Sequence, residues 1–512
     1  MMVRLTSADL HGIDAVAVEV EVDVQPGLPA YVTVGLPDAA VRESRERVRG
    51  AVLNSGFSYP QEQVTVNLAP ADVRKEGSQL DLPIALALLE ATGHIPRNNP
   101  SREMVVVGEL ALNGALRPVR GILSMALLAR NRSRALLCPA ANGAEAAVVE
   151  GCRVFALKNL AEAVRFLRGE AALEPLPHRT YEEALEDPPA PVDLLEIRGQ
   201  AHVKRALEVA AAGGHNLLLV GPPGAGKSML AKRLPTILPP MSFEEALETT
   251  RIHSAAGEAA PAGGLVTVRP FRAPHHTISF AGMIGGGSTI RPGEISLAHN
   301  GVLFLDELTE FKRDVLESLR QPLEDRSISV ARVKEKLTFP AAFMLVAATN
   351  PCPCGFLGDP TRRCRCTPLQ VRRYLSRLSG PLLDRIDLQV EVTAMAPEEL
   401  RAAPGGEPSR EVRRRVTLAR RRQWERFRGQ KVHANAQMSE RMVERYTVLD
   451  REGEAFLLKA LSALGLTARG HHRILKVART IADLEGAETV QARHLAEAVQ
   501  YRTLDRKLYR EG

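Results

Sequence analysis

Leu217-Leu218-Leu219-Val220 runs without a break into Gly221-Pro222-Pro223-Gly224-Ala225-Gly226-Lys227-Ser228, and Met229-Leu230-Ala231-Lys232-Arg233 can open a helix. A buried apolar run, a glycine-rich loop and a helix in that order form the strand-loop-helix of a phosphate-binding P-loop. Glycines let backbone N–H groups close around phosphate oxygens, and the helix N-terminus adds partial positive charge. Lys227 is of the right length to reach the β/γ-phosphates, and the Ser228 hydroxyl is a ligand for Mg²⁺. The cofactors implied are ATP and Mg²⁺. Apolar runs at Leu217 to Val220, Val302 to Leu305 and Phe343 to Ala347 favour a parallel sheet covered on both faces.

Two downstream runs supply further chemistry. Gly301-Val302-Leu303-Phe304-Leu305-Asp306-Glu307 ends a strand in two carboxylates. At a strand's carboxyl end Asp306 can hold Mg²⁺ through water while Glu307 polarises an attacking water. The run Phe343 to Ala348 ends at Thr349-Asn350, where an amide could orient that water; an ordinary strand-end turn is the alternative. Leu382-Leu383-Asp384-Arg385-Ile386-Asp387 is expected to expose Arg385 at a helix end, where it could complete a neighbour's site. A structural pair with Asp384 or Asp387 is the other reading.

At roughly 100 to 200 residues per domain, 512 residues suggest about three units in a mixed α/β chain. Residues 1–172 alternate strand-like runs (Val16 to Val24, Val64 to Leu68, Met104 to Val107, Ala135 to Cys138) with a helix-like run at Leu80 to Ala91. Residues 173–192 are rich in Pro, Glu and Asp and read as a linker. Residues 193–433 form the P-loop αβα core, and 434–512 a small all-α domain with helix spacing in Ala455 to Leu464, Ile474 to Leu484 and Ala492 to Tyr501. No apolar stretch approaches the roughly 18 residues that span a bilayer, and the start lacks the layout of a signal peptide. A cytoplasmic protein without membrane contact is expected.

The basic residues are unevenly placed. Arg401 to Lys431 holds 11 basic and 3 acidic residues, so its net +8 exceeds the +7 of the whole chain. That block, with Trp424 and Phe427, is either a polyanion surface or a helix linking core to lid, the second being favoured. Four of the six cysteines, Cys352, Cys354, Cys364 and Cys366, form C-x-C-x9-C-x-C directly after Asn350. Four thiolates could close a tetrahedral Zn²⁺ site; reduced structural thiols or a redox-labile pair are the alternatives. His275 and His276 are expected to point apart, as neighbours on a strand do, and to position a loop.

In order along the chain, these residues resemble an AAA+ ATPase of the magnesium-chelatase-like group, and more narrowly the bacterial ComM/YifB family. Gly213-Gly214-His215-Asn216-Leu217, Phe271 to Thr277, Pro292 to His299, Asn350-Pro351-Cys352-Pro353-Cys354-Gly355 and Gly380 to Asp387 carry the likeness over essentially the whole length. The resemblance makes Lys227 and Ser228 Walker A, Asp306 and Glu307 Walker B, Asn350 sensor 1 and Arg385 an arginine finger. Arg469 matches sensor 2, with Arg473 one turn later as a substitute. It implies a homo-hexameric ring, in which Arg385 serves the next subunit's nucleotide. Arg326 to Pro340 reads as a hairpin with a basic tip of Arg332, Lys334 and Lys336; that hairpin and the segment Phe280 to Ser288 then project into a central pore and contact a phosphate backbone. A solvent hairpin is the alternative.

Residues 1–172 resemble a Lon-protease-like domain through Val73 to Pro83, Gly108 to Gly114 and Pro118 to Ile122. Gln79 stands at the nucleophile position, with Ser78 beside it, and Leu123 at the lysine position. A Ser/Lys dyad is therefore not expected, and the domain reads as a scaffold. The function implied is a DNA helicase that promotes branch migration on single-stranded, forked or branched DNA during recombination and natural transformation. The alternatives are a chelatase-type ATPase that remodels a protein partner for metal insertion, an ATP-dependent protease, and a non-motor DNA-binding ATPase.

Overall fold

The computed structural model describes residues 1–512 apart from 73, 186–191, 259–260, 262–263, 288–289, 332–335, 360–361, 395–405, 431, 465–467 and 505–512. Two sheets organise the chain. The first has seven strands in the order Ala30–Val34, Gln63–Ala69, Asp14–Gln25, Met2–His11, Met104–Val106, Ala135–Pro139 and Val154–Leu157. Asp14–Gln25 pairs antiparallel with Met2–His11 and Gln63–Ala69, and the remaining pairs, the edge strand Ala30–Val34 with Gln63–Ala69 among them, are parallel. Alternation in Asp14–Gln25 puts Val18, Val20, Val22 and Val24 inside. The helix Asp81–Ala91 covers that face and is apolar nearly all round, with Leu82, Ile84, Leu86, Leu88 and Leu89 buried, as a helix enclosed by its own domain must be.

The second sheet has five parallel strands in the order Phe271–Arg272, Val302–Leu305, Met344–Thr349, Leu217–Val220 and Leu388–Glu391. The strand leading to the P-loop therefore lies between the strand that ends at Thr349 and the last strand. In such open sheets the crevice beyond the carboxyl ends is the natural ligand site. Helices Ala201–Gly213 and Lys227–Ile237 pack with Ser409–Arg426, which in turn packs on Ala468–Glu485. The Arg401 to Lys431 block is thus, in its described part, a linking helix. Arg420 is buried and donates to the Ala211 and Ala212 carbonyls, Arg415 pairs with Glu208 and Glu407, and Phe427 is buried.

The carboxyl-terminal helices are Glu440–Tyr446, Arg451–Leu464, Ala468–Glu485 and Ala492–Gln500. The 173–192 segment runs back along the molecule: the Leu176 N–H donates to the Val154 carbonyl, and the Tyr181 hydroxyl to Met241 O at 2.5 Å. Residues 186–191 of it lie outside the described residues.

The two sheets meet through specific packing. Ile13, at the turn between the first two strands, is buried with Leu337 and Phe339 of the hairpin formed by Ser327–Ala331 and Lys336–Pro340. A Cβ on Gly12 would stand 3.6 Å from Leu337 and 3.7 Å from Phe339. Since Phe339 is fully buried, its loss would cost about 3–5 kcal/mol, so the hairpin's base is a rigid part of the core. No described helix is long and apolar enough to cross a membrane.

Candidate active site

The P-loop leaves the sheet at Val220. The Gly221 N–H donates to the Thr349 carbonyl at 3.2 Å, which ties the loop to the neighbouring strand. Gly226 caps the helix Lys227–Ile237 with φ +89°, a left-handed conformation that costs a residue with a Cβ roughly 1–2 kcal/mol. A Cβ at Gly224 or Gly226 would meet nothing within 4 Å. The loop therefore borders open space, and the first-turn amides of the helix, which have no partner within it, form a cradle suited to an anion.

Lys227 Nζ donates to the carbonyls of Gly221 at 2.7 Å and Pro222 at 2.9 Å and to Asn350 Oδ1 at 3.1 Å. The Pro222 carbonyl also accepts from the Ala225 N–H at 3.3 Å. Burial lowers the Lys227 pKa, against the pull of Asp306 and Glu307. The Ser228 hydroxyl donates to Asp306 Oδ2 at 2.5 Å. A hydroxyl and a carboxylate side by side beneath a phosphate cradle are the hard oxygen donors that Mg²⁺ requires. The strand Val302–Leu305 delivers Asp306, and the chain then turns sharply: Glu307 has φ +52° and its side chain is 57% exposed. A carboxylate so held keeps access to water.

One contact here had no signal in the sequence. His276 Nδ1 lies 3.4 Å from Glu307 Oε2, and the ring meets Phe311 edge-on. His275 and His276 do not point apart; they follow the strand Phe271–Arg272 in a loop, and their rings stack with centroids 4.0 Å apart. The strand rule fails because the strand has already ended. The pair follows the edge strand beside Val302–Leu305, which is why it reaches Glu307.

Arg385 departs from expectation. It is 7% exposed, not open to solvent, because its guanidinium folds back onto the Pro381 carbonyl at 2.5 Å and pairs with Glu324. Neither Asp384 nor Asp387 is the partner in that pair. Asp387 instead meets Arg473 at 3.0 Å and His215 at 3.4 Å. Arg469 is exposed near the start of the helix Ala468–Glu485. Arg385, Arg469 and Arg473 line one cavity of about 800 Å³ at the amino ends of the strands. The P-loop, Ser228, Asp306, Glu307 and Asn350 gather at the other end, beyond a four-residue strand of roughly 13 Å.

Of the expected basic tip, Lys336 is exposed and paired in register with Ala331, while Arg332 and Lys334 lie outside the described residues. The segment Phe280 to Ser288 forms the short helix Phe280–Ile284 and a two-residue strand that pairs Gly285 with Pro292; residue 288 lies outside the described residues. The four cysteines come together, with one sulfur from each all within 4.8 Å of one another. In the N-terminal unit the Ser78 hydroxyl is hydrogen-bonded to Glu109, Gln79 Nε2 donates to Asp9 Oδ1 at 2.5 Å, and Leu123 is fully buried.

The order of the parallel sheet, the P-loop and the carboxylate pair are those of a P-loop ATPase, and the family matches place it in the magnesium-chelatase-like class. Models described as magnesium chelatase subunit ChlI match residues 193–400, subunit ChlI of Mg-chelatase residues 20–142, and the ChlI C-terminal region residues 406–502. The YifB protein of Salmonella typhimurium is 47% identical over 501 residues, covering 97% of this chain and 96% of that one. Competence protein ComM of Haemophilus influenzae is 45% identical over 500 residues, with the same coverage. A more distant likeness, 28% over 206 residues and 38% of this chain, is to the DNA replication licensing factor Mcm2 of Drosophila melanogaster, of which 20% is covered. The chain belongs to the ComM/YifB family of magnesium-chelatase-like ATPases. Because a ChlI model also spans 20–142, the N-terminal unit does not distinguish this chain from a chelatase subunit.

Proposed function

We propose that this chain is the subunit of an ATP-driven ring, a homo-hexamer, that moves along single-stranded, forked or branched DNA and promotes branch migration in recombination and natural transformation. One observation carries the assembly: the P-loop and the arginines Arg385 and Arg469 stand at opposite ends of the same parallel sheet. That separation within one chain supports an arrangement in which a neighbouring subunit supplies the arginines. Bound ATP supplies the phosphoryl group, and Mg²⁺ the charge that neutralises it. Lys227 and the P-loop amides hold the phosphates, and Ser228 and Asp306 hold the cation. Glu307 orients a water and takes its proton, Asn350 fixes that water's position, and Arg385 of the adjacent subunit offsets charge in the transition state. The basic residues Arg332, Lys334 and Lys336 in the sequence between Arg326 and Pro340 support a sequence-tolerant grip on a phosphate backbone. The likeness to ComM supports DNA as the partner. In this reading residues 1–172 are a Lon-like scaffold and residues 434–512 a lid.

The test is steady-state ATPase activity with and without single-stranded, duplex and forked DNA, at several salt concentrations. Stimulation that falls with salt is expected. Mixing Lys227→Ala with Arg385→Ala chains, each inactive alone, should restore part of the rate through sites built from one intact P-loop and one intact arginine. A rate indifferent to DNA would favour the second reading, a remodeller of a protein partner for metal insertion, to which the three chelatase-subunit matches lend support.

A further inference from the structure

We propose that Cys352, Cys354, Cys364 and Cys366 hold one zinc ion, and that this metal clamps the loop after Asn350 against the P-loop. The sulfurs are arranged as ligands. Cys352 Sγ lies 3.4 Å from Cys354 Sγ and 3.7 Å from Cys364 Sγ, and Cys354 and Cys364 are 3.6 Å apart. A tetrahedron with Zn–S bonds of about 2.3 Å has edges of about 3.8 Å. A disulfide would need about 2.05 Å, and all four are free thiols. An all-sulfur set selects a soft or borderline cation, and four thiolates leave no open position, so the site is structural. The loop also needs a brace. Prolines, glycines and charged residues dominate residues 351–366, and Phe356, with Arg362 over its ring at 5.2 Å, is one of few large apolar side chains there.

The same loop touches the nucleotide site twice. Asn350, two residues before Cys352, accepts from Lys227 Nζ. Gly355, between the two cysteine pairs, has φ +84°, and a Cβ built on it would fall 2.4 Å from Pro223 Cδ. Zinc that fixes the cysteine loop therefore fixes Asn350 and Pro223 from one side. The clamp's functional meaning rests on the ATPase reading above, but the metal and the clamp can be measured without it.

Metal analysis of the full chain, purified without added metal and without a histidine tag, should give one zinc per chain. Cys352→Ser with Cys364→Ser should abolish it, and Cys138→Ser with Cys152→Ala should keep it. Releasing the zinc from the unaltered protein with a thiol-blocking mercurial and a chelator should speed amide hydrogen exchange across residues 217–228 about tenfold. Gly355→Ala should do the same with zinc retained. Protein without zinc, or zinc retained by the double serine variant, overturns the site. Zinc present but exchange unchanged on its release overturns the clamp. A chain that binds zinc yet never binds a fluorescent ATP analogue counts against the nucleotide reading alone.

Discussion

At the carboxyl ends of the five-stranded sheet, Asp306 and Glu307 stand beside an open cradle, each with a polar partner yet accessible, in the field of the Lys227 ammonium. The seven-stranded sheet borders a second cleft, about 1590 Å³, whose polar lining includes Asp9, Ser78, Gln79 and Glu109. There the side chains satisfy one another. Ser78 donates to Glu109, Gln79 to Asp9 and the Glu76 carbonyl, and Lys75 to the Pro70 carbonyl. The Asp9 carboxyl is pushed up to about 7 by burial. Polar residues in a cavity are thus no measure of chemistry; what matters is whether a reactive group is matched to a base and left free to meet a substrate.

The sharpest way to break this contrast is a pair of substitutions. Glu307→Gln should lower kcat for ATP hydrolysis by about 10²–10⁴-fold, the usual worth of a positioned general base. Ser78→Ala should leave it within about twofold, since a loss in the second cleft removes only a hydrogen bond. Phosphate release under saturating ATP measures both, and equal losses would end the distinction.

A second contrast lies in how each half treats a buried carboxylate. Burial would raise the pKa of Asp387, but His215 and Arg473 hold it well below the usual carboxylate range. Asp387→Asn leaves the half-buried Arg473 without its partner and should cost about 1–3 kcal/mol, read as a lower midpoint in thermal or urea unfolding. The Asp387 contribution is full above the ordinary carboxylate range and is lost as pH falls from there through the depressed folded value. Asp9 has the opposite sign. Its folded pKa of about 7 exceeds the ordinary 3.8, so the folded state holds a proton that the unfolded state has released. Stability from this group is greatest below about pH 4, declines up to about pH 7 and then levels. Asp9→Asn should flatten that decline, and unfolding midpoints from pH 4 to 8 would reveal it; an unchanged slope would assign the decline to Asp81 or Glu145, raised by burial to about 6 and 7.

The sequence was most legible where short apolar runs meet glycine. Leu217–Val220 and Val302–Leu305 are strands with the bounds their residues suggest, and the hairpin expected within Arg326 to Pro340 pairs Ser327–Ala331 with Lys336–Pro340, which takes Lys336 out of the tip and into an arm. Met2–His11 escaped notice although it sits mid-sheet, because Thr6, Ser7 and Asp9 interrupt its apolar alternation yet are buried. Leu388–Glu391 was hidden by Gln389 and Glu391. For the site, each motif fixed its own residues and said nothing of pairs far apart in the chain. That is why the burial of Arg385 against Glu324, and the approach of His276 to Glu307, came only from the fold.

His276 supplies the smallest and most discriminating test, because it is the restraint on the open side of the comparison. Glu307 sits on left-handed backbone at the end of its strand, and an exposed carboxylate there can sample several rotamers unless something opposes it. His276, stacked on His275 and packed edge-on to Phe311, presents Nδ1 to one carboxylate oxygen. Removing it frees the rotamer but leaves the P-loop untouched. His276→Ala should therefore lower kcat by about three- to tenfold, roughly 1 kcal/mol, with KM for ATP unchanged. His276→Gln, whose amide can donate from a similar reach, should recover part of the loss. A fall in KM-related binding or in the unfolding midpoint, with no recovery by glutamine, would make the histidine a packing residue. The two clefts would then differ in their residues alone and not in how those residues are held.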